Sequence, residues 1–341
     1  MKQKHFLTSL IASLALCATS VFAQTIHNTS ERHPGWLWTI SGNGLTQKSY
    51  LFGTCHGEGH NFTPEEVFGI SGLEATLCDV KMVLFEGGMN PKQSEADSLK
   101  NAEETTRVMN SLTNPGPESV MPEGVSYESL FDSVKHFKAV DKLLTGLAER
   151  VNVGEYQKRN PRYWCSWLIL TQVIQWNKSQ RGVMSVDAFL AQEAQRRGLE
   201  IDYVEGTTAG NRIFPMFTAS LDTLSIKQQA DVLYVLLKNM SKSSRERQKK
   251  MAEEMTKNYL MNDTCLSEHF WREQGQVPGS ELSDDSHKEI VYDRNVAWIP
   301  VIQQHIAQRP CLIAVGYRHL LGTESLIAML RRKGYTVEAV K

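Results

Sequence analysis

Short apolar runs that end at glycine or at glutamate recur along this chain and predict β-strands. Two of them, Ser49–Phe52 and Cys311–Val315, lead into a glycine with a histidine three positions further on. Two others, Lys81–Phe85 and Leu199–Val204, lead into a glutamate and then a glycine. The two remaining predicted strands are Trp36–Ile40 and Tyr335–Val340. The chain therefore carries six strand patterns of ordinary length.

Apolar residues at helical spacing lie between these strands. Thr63, Pro64 and Glu66 have the order of an N-cap, a first turn and a capping box, and they open a predicted helix. Ser185 opens a second helix that ends at Gly198. Further predicted helices cover Tyr127–Leu147, Trp164–Trp176, Ser225–Leu260, Asp293–Ala307 and Ser325–Lys333. Helices that lead directly into strands favour βαβ units, so we expect an α/β fold with a mixed, largely parallel central sheet flanked by helices.

Composition and charge narrow the class of protein. The chain has 341 residues, of which 41% are hydrophobic and 22% charged, as in an ordinary globular protein. The formal net charge of −1 gives no electrostatic case for nucleic acid as a partner. We expect a single α/β domain over residues 24–341, with a polar insert near 90–124 where Pro and Gly cluster.

The N-terminus has the pattern of a secretory signal peptide. Lys2 and Lys4 precede an apolar run, and Val21 and Ala23 supply the small residues of a cleavage site. Cleavage after Ala23 predicts a periplasmic or secreted protein with no stable membrane span afterwards. The five later cysteines are widely spaced and form neither a Cys-x-x-Cys metal motif nor a compact disulfide framework; they are Cys55, Cys78, Cys165, Cys265 and Cys311.

Four predicted strands lead into side chains that bind metals: His56, Glu86, Glu205 and His319. In a largely parallel sheet these strand ends share one edge, where ligands bind in open α/β folds. Two imidazoles with one or two carboxylates are a ligand set for a divalent metal such as Mn, Co or Zn. A remaining carboxylate can serve as a general base. Each residue alone also fits an ordinary surface or core position, but all four occupy the same place relative to an apolar strand.

Several further residues are candidates for the same site. His60 repeats the Gly-x-x-His spacing and is a possible extra metal ligand or substrate contact. Arg294 and Asn295 have the chemistry to hold a substrate carboxylate or carbonyl, although an exposed helix start is the commoner role. Cys55 stands beside a histidine, which leaves open a thiol nucleophile.

The chain from about Trp36 to its C-terminus resembles the TraB/GumN family. The motifs that carry the resemblance are Tyr50–His56, the strand ending at Glu86, Val186–Leu190, Asp293–Asn295, Val315–Gly322 and Leu330–Val337. That family is similar to the Tiki metalloproteases. The resemblance implies the fold of the wider Tiki, erythromycin-esterase and ChaN-like group. It also implies metal binding or catalysis at His56, His319 and Glu86, and at Glu205 less directly. Cys55 and the Gly57–His60 segment depart from the family pattern.

The pattern and the resemblance together predict a secreted or periplasmic metal-dependent hydrolase that acts on a peptide or protein substrate. A peptidase is the leading interpretation. The alternative is a non-catalytic protein that binds haem or a peptide in the same cleft. Nothing in the sequence indicates the oligomeric state.

Overall fold

The computed structural model describes residues 34–56, 60–87, 106, 110, 112–179, 183–205, 221–240, 242–273 and 288–341. These residues group into two compact units, one mainly helical and one α/β. Within the described residues, the helical unit comprises 106–179 and 221–248, and the α/β unit comprises 34–87, 183–205 and 249–341. The predicted signal peptide and most of the predicted insert lie outside the described residues, and the single-domain assignment stays a prediction.

The α/β unit contains a six-stranded mixed sheet. Its strands are β1 (Leu37–Ser41), β2 (Ser49–Thr54), β3 (Met82–Phe85), β4 (Glu200–Tyr203), β5 (Cys311–Gly316) and β6 (Thr336–Ala339). They lie in the order β4-β3-β5-β2-β1-β6. The four strands from β4 to β2 pair in parallel, and β1 is antiparallel to both of its neighbours. The predicted fold class is therefore confirmed.

The strand register aligns the polar strand ends. Thr54 pairs with Gly316 across β2 and β5, and Phe85 pairs with Tyr203 across β3 and β4. The Glu205 N–H extends this pairing and donates to the Glu86 carbonyl at 3.1 Å. Side chains that follow β2, β3, β4 and β5 are thus brought to one edge of the sheet: His56, Glu86, Glu205 and His319.

Ten α-helices lie in the described residues. They are α1 (Pro64–Phe68), α2 (Leu73–Asp79), α3 (Val134–Val151), α4 (Pro161–Ser179), α5 (Val186–Arg196), α6 (Ile226–Asn239), α7 (Lys242–Leu260), α8 (Thr264–Glu273), α9 (Arg294–Gln308) and α10 (Leu326–Arg332). A π-helical turn, Lys288–Asp293, precedes α9, and a 3₁₀ turn, Tyr317–Leu320, follows β5. No described helix combines the length and the apolar character that crossing a bilayer requires.

Two predicted helices are each divided in the structure. The capping box of Thr63 and Glu66 opens α1 as predicted, but α1 ends before Gly69, and α2 begins after Gly72. Gly72 has a φ of +79°, which the right-handed helix does not allow, so the apolar periodicity continues while the helix does not. The predicted Ser225–Leu260 helix is likewise two helices, α6 and α7.

Each unit has its own apolar core. In the α/β unit, Ile302 of α9 and Leu330 of α10 belong to the same buried cluster as Ile313 of β5. In the helical unit, Leu144 of α3 and Leu233 of α6 are buried in one cluster with residues of α4. The five cysteines of the described residues form no disulfide bond, and Cys55, Cys165 and Cys311 are buried.

Candidate functional site

Glu86 lies at the centre of the strand-end edge. Its Oε1 forms an ion pair with the Arg294 guanidinium, and its Oε2 accepts a hydrogen bond from the Gly316 N–H at 3.1 Å. The same Oε2 lies 3.8 Å from Nε2 of His319. One carboxylate thus joins β3 to β5 and to the first residue of α9.

The pKa of Glu86 is lowered to about 2. Burial alone would raise this pKa, but His319, Arg294, the Gly316 N–H and His56 together outweigh burial. The His319 ring is uncharged at neutral pH, so the cation that acts on Glu86 there is the Arg294 guanidinium. Glu86 is consequently an ionised acceptor across the physiological range.

The glycines of both Gly-x-x-His motifs allow close approach between segments. A Cβ at Gly316 would lie 3.3 Å from Oε2 of Glu86, and a Cβ at Gly53 would lie 2.9 Å from Cβ of Tyr317. Gly53 lies inside β2, one residue beyond the predicted end of that strand. Gly53 is needed because it leaves space for Tyr317, the residue that follows Gly316.

His319 is held in one orientation by Asn295. The Asn295 amide nitrogen donates to the backbone carbonyls of Glu324 at 3.0 Å and of His319 at 3.4 Å. Its Oδ1 therefore faces the ring and lies 2.7 Å from Nδ1 of His319. Because an amide oxygen only accepts, Nδ1 must carry the proton, and Nε2 keeps its lone pair toward Glu86.

The surroundings of His319 disfavour its charged form. Its side chain is only 5% exposed, and its ring lies 4.3 Å from the Trp298 ring. Burial lowers the pKa of His319 to about 3, and the Arg294 and Arg318 cations act in the same direction against the opposing effect of Glu86. His319 is therefore a neutral imidazole with a lone pair at Nε2, which is the form that binds metals.

Arg294 connects two of the predicted site carboxylates. Its Nε donates to Oε1 of Glu205 at 2.5 Å, while its Nη2 pairs with Glu86. Trp298 Nε1 donates to the same Glu205 oxygen at 3.0 Å, and the guanidinium lies over the Trp298 ring. The structure thus brings together Arg294, Glu86 and Glu205, and the guanidinium that was expected to hold a substrate group pairs with two carboxylates of the chain itself.

His56 lies at the end of β2 beside an aspartate that strand-end reasoning did not select. The His56 side chain is 55% exposed, and its Nδ1 lies 3.5 Å from Oδ2 of Asp187. Asp187 is the second residue of α5, and its Oδ1 accepts from the Thr54 hydroxyl at 2.7 Å. Burial raises the pKa of Asp187, while His56 and Thr54 act in the opposite direction. The signal for Asp187 in the sequence was its position as an acidic residue on the apolar face of the helix predicted to open at Ser185.

Two other candidates are placed differently from these residues. His60 Nε2 lies 3.0 Å from Oε2 of Glu66, the acidic residue of the α1 capping box, and its ring packs edge-on against Phe62. Cys55 is 4% exposed, and its backbone carbonyl accepts from the Val186 N–H at 3.1 Å. A thiol so deeply buried does not suit attack on a substrate.

The spacing of the donor atoms at this edge decides whether one divalent metal can contact two of them. Two ligand atoms that are each about 2.1 Å from one metal lie at most about 4.2 Å apart. The distance between Nε2 of His319 and Oε2 of Glu86 is 3.8 Å, which meets this limit. To a metal between them, Nε2 would offer a lone pair and Oε2 a negative charge. In the described part of the chain, no group of three or more His, Cys, Asp or Glu side chains is arranged to hold a metal. The lone pair of Nε2 and the charge of Oε2 fit a metal in their chemistry, and the described residues supply no third ligand in the arrangement observed.

Comparisons with known proteins agree with the motifs. The sequence model of the TraB/PrgY/gumN family matches residues 36–339. A zebrafish (Danio rerio) protein named Metalloprotease TIKI1 is 24% identical over 205 residues, which are 54% of this chain and 39% of that protein. The chain thus matches well under half the length of this relative. No solved structure matches the chain.

Proposed function

Because the chain belongs to the TraB/PrgY/gumN family, we propose that it is a metal-dependent hydrolase of peptide bonds. The observation that carries the proposal is that two potential metal ligands, the His319 Nε2 lone pair and the ionised Glu86 carboxylate, lie 3.8 Å apart. The name of the zebrafish relative supports a peptide or protein as the substrate class.

His319, Glu86 and His56 would hold the metal. A bound divalent metal such as Mn²⁺, Co²⁺ or Zn²⁺ supplies Lewis-acid chemistry, which polarises a carbonyl and makes water a better nucleophile near neutral pH. His60 is engaged by Glu66, so its predicted part as an additional ligand has less support.

The remaining residues would position these groups. Asn295, which is fully buried, keeps His319 in the Nδ1–H form and does not reach a substrate. Arg294 forms ion pairs with Glu86 and Glu205 and lowers the pKa of Glu86. Because Oε1 of Glu205 already accepts two hydrogen bonds, Glu205 would act chiefly by orienting Arg294, with its other oxygen as a candidate proton acceptor.

The predicted signal peptide would place this activity in the periplasm or outside the cell. Its residues, 1–23, precede the first described residue, so the location rests on the sequence pattern. The substrate proposed on this basis is a secreted or surface-exposed peptide or protein.

Metal binding by purified protein tests the proposal. The chain, expressed with its own N-terminus, should be recovered beginning at Gln24 and should bind Co²⁺ with the absorption of a histidine-ligated ion. His319→Ala and His56→Ala should lower the affinity at least 10-fold, because each removes a ligand. His136→Ala, in the helical unit, is the matched control and should bind as the parent does.

Hydrolysis is measured on the same proteins with a peptide library and added Mn²⁺, Co²⁺ or Zn²⁺. Cleavage by the parent and the control, lost in both site variants, supports the peptidase. Equal metal binding by parent and site variants would overturn the metal site. Metal or haem binding without cleavage of any peptide would favour the ligand-binding alternative.

A further inference from the structure

Asp187 is a buried acidic group with no role in the proposed ligand set. Its Oδ1 is fixed by the Thr54 hydroxyl at 2.7 Å, and its Oδ2 has no hydrogen-bond partner among the described residues. A buried carboxylate oxygen without a partner is costly, so its retention at this place requires an explanation. The group that Oδ2 faces is the imidazole of His56, at 3.5 Å from Nδ1.

Backbone contacts hold the two residues in this relation. The Val186 N–H, at the start of α5, donates to the carbonyl of Cys55, the residue before His56. The Ser185 hydroxyl caps the helix by accepting from the Ala188 N–H at 3.1 Å. The position of Asp187 is therefore fixed by the helix start, while Thr54 fixes the rotation of its carboxylate.

His319 shows the same arrangement in a tighter form. There an oxygen of Asn295, supplied by the start of α9, meets Nδ1 at 2.7 Å and leaves Nε2 free for the strand edge. At His56 an oxygen of Asp187, supplied by the start of α5, approaches the corresponding nitrogen. In each case a helix start supplies an oxygen to the side of the ring away from Nε2.

We propose that Asp187, anchored by Thr54, is a positioning residue that holds His56 as its Nδ1–H tautomer and directs Nε2 to the strand edge. Its Oδ2 is shielded from solvent, so it acts through His56 and not on a substrate. The inference rests on the proposed function only in assigning Nε2 of His56 to the metal. The tautomer itself can be measured without metal or substrate.

Long-range ¹H–¹⁵N NMR of histidine-labelled, chelator-treated protein reads the tautomer directly. The measurement is made at about pH 9, above the usual titration range of imidazole. His56→Gln and His319→Gln identify the two rings. We expect His56 of the parent in the Nδ1–H form, loss of that form in Asp187→Ala, and its retention in Asp187→Asn, where an amide oxygen replaces the carboxylate.

The His319 signal is the internal control and should be the same in all three proteins. A purely structural role for Asp187 would not separate the Ala and Asn variants, so equal His56 tautomers in both would overturn the proposal. An Nε2–H form in the parent would also overturn it. If Asp187→Ala does not fold, Thr54→Val removes only the anchoring hydroxyl and should give a mixture of tautomers, whereas an unchanged Nδ1–H signal contradicts the proposal.

Kinetics separate this inference from the proposed function. If the parent cleaves peptides, Asp187→Ala should lower kcat about 10- to 100-fold with little change in KM. If the His56 tautomer depends on Asp187 but the protein cleaves no peptide, the proposed hydrolase function is wrong and the positioning role of Asp187 stands. If the protein cleaves peptides with a metal but the tautomer does not depend on Asp187, the positioning role is wrong and the hydrolase function stands.

Discussion

At the scale of single residues, the site is governed by how closely groups must approach. Gly316 leaves room for the Glu86 carboxylate at its own N–H, and Gly53 leaves room for Tyr317. The Tyr259 hydroxyl donates to the Gly53 carbonyl at 2.8 Å and fixes the same point of β2 from another side. The glycine of each motif is thus explained by contacts to segments more than two hundred residues away along the chain.

Gly53→Ala should destabilise the protein by about 1–3 kcal/mol, because the new methyl group overlaps backbone and side-chain atoms of Tyr317 that cannot easily move. Denaturant unfolding measures the change. Gly146→Ala is the matched control: a Cβ there meets no atom within 4 Å, and alanine suits the middle of α3, so this variant should be as stable as the parent or more stable. Equal stability of Gly53→Ala and parent would contradict the steric account.

At the scale of elements, helix starts supply the side chains that orient the strand-end groups. The first two residues of α9 hold Glu86, Glu205 and His319, and the second residue of α5 faces His56. Each helix lies beside the sheet with its N-terminus at the site edge, where its first turn also favours negative charge. The sheet brings the strand-end side chains to one edge, and residues at the helix starts fix the orientation of those side chains.

Arg294→Gln should cost about 2–4 kcal/mol, because Glu86 and Glu205 would lose the cation that lies between them. Glu205→Gln should cost less, and the double variant should show a coupling of about 1 kcal/mol or more. Arg162→Gln with Asp222→Asn, an exposed pair in the helical unit, is the control cycle and should show about 0–1 kcal/mol. Additive effects at Arg294 and Glu205 would refute the shared ion-pair account.

At the scale of the whole molecule, the site exists only when the α/β unit is folded. β5 lies between β2 and β3, so Glu86 meets a backbone N–H 230 positions later in the chain. Groups that acquire shifted pKa values in this environment return to ordinary values on unfolding. Protonation at the site is therefore linked to the stability of the fold.

The free energy of unfolding should fall as the pH drops from about 6.5 to about 3. The pKa of His319 is 6.5 in the reference state and about 3 in the folded protein, so the unfolded chain binds a proton that the folded chain excludes. The stability that neutral His319 contributes is present above pH 6.5 and is lost on acidification. Because one pKa unit corresponds to about 1.4 kcal/mol, the loss should reach a few kcal/mol.

Denaturant unfolding of metal-free protein at a series of pH values gives this curve. His319→Gln removes the titrating ring, so its stability should decline less between pH 6.5 and 3 than that of the parent. Parallel curves for the two proteins would show that His319 does not carry the linkage.

The amino-acid order alone determined the strands, most helices and the four strand-end candidates, because apolar periodicity and capping are local properties. Strand-end reasoning predicted Glu86 and Glu205 at one edge of the sheet, because parallel strands bring their ends together, but it gave no place for Arg294 between them. It could not identify Asp187, because its significance lies in a contact to Thr54 and His56 more than 130 positions away.

Only the tertiary structure decided which atoms face each other. The tautomer of His319 follows from two backbone carbonyls that fix the Asn295 amide, and the need for Gly53 follows from the position of Tyr317. The division of the predicted helix after Thr63 depends on a left-handed backbone at Gly72. Local periodicity records which side chains are buried, whereas hydrogen-bond direction and close packing depend on chain segments that meet only when the protein folds.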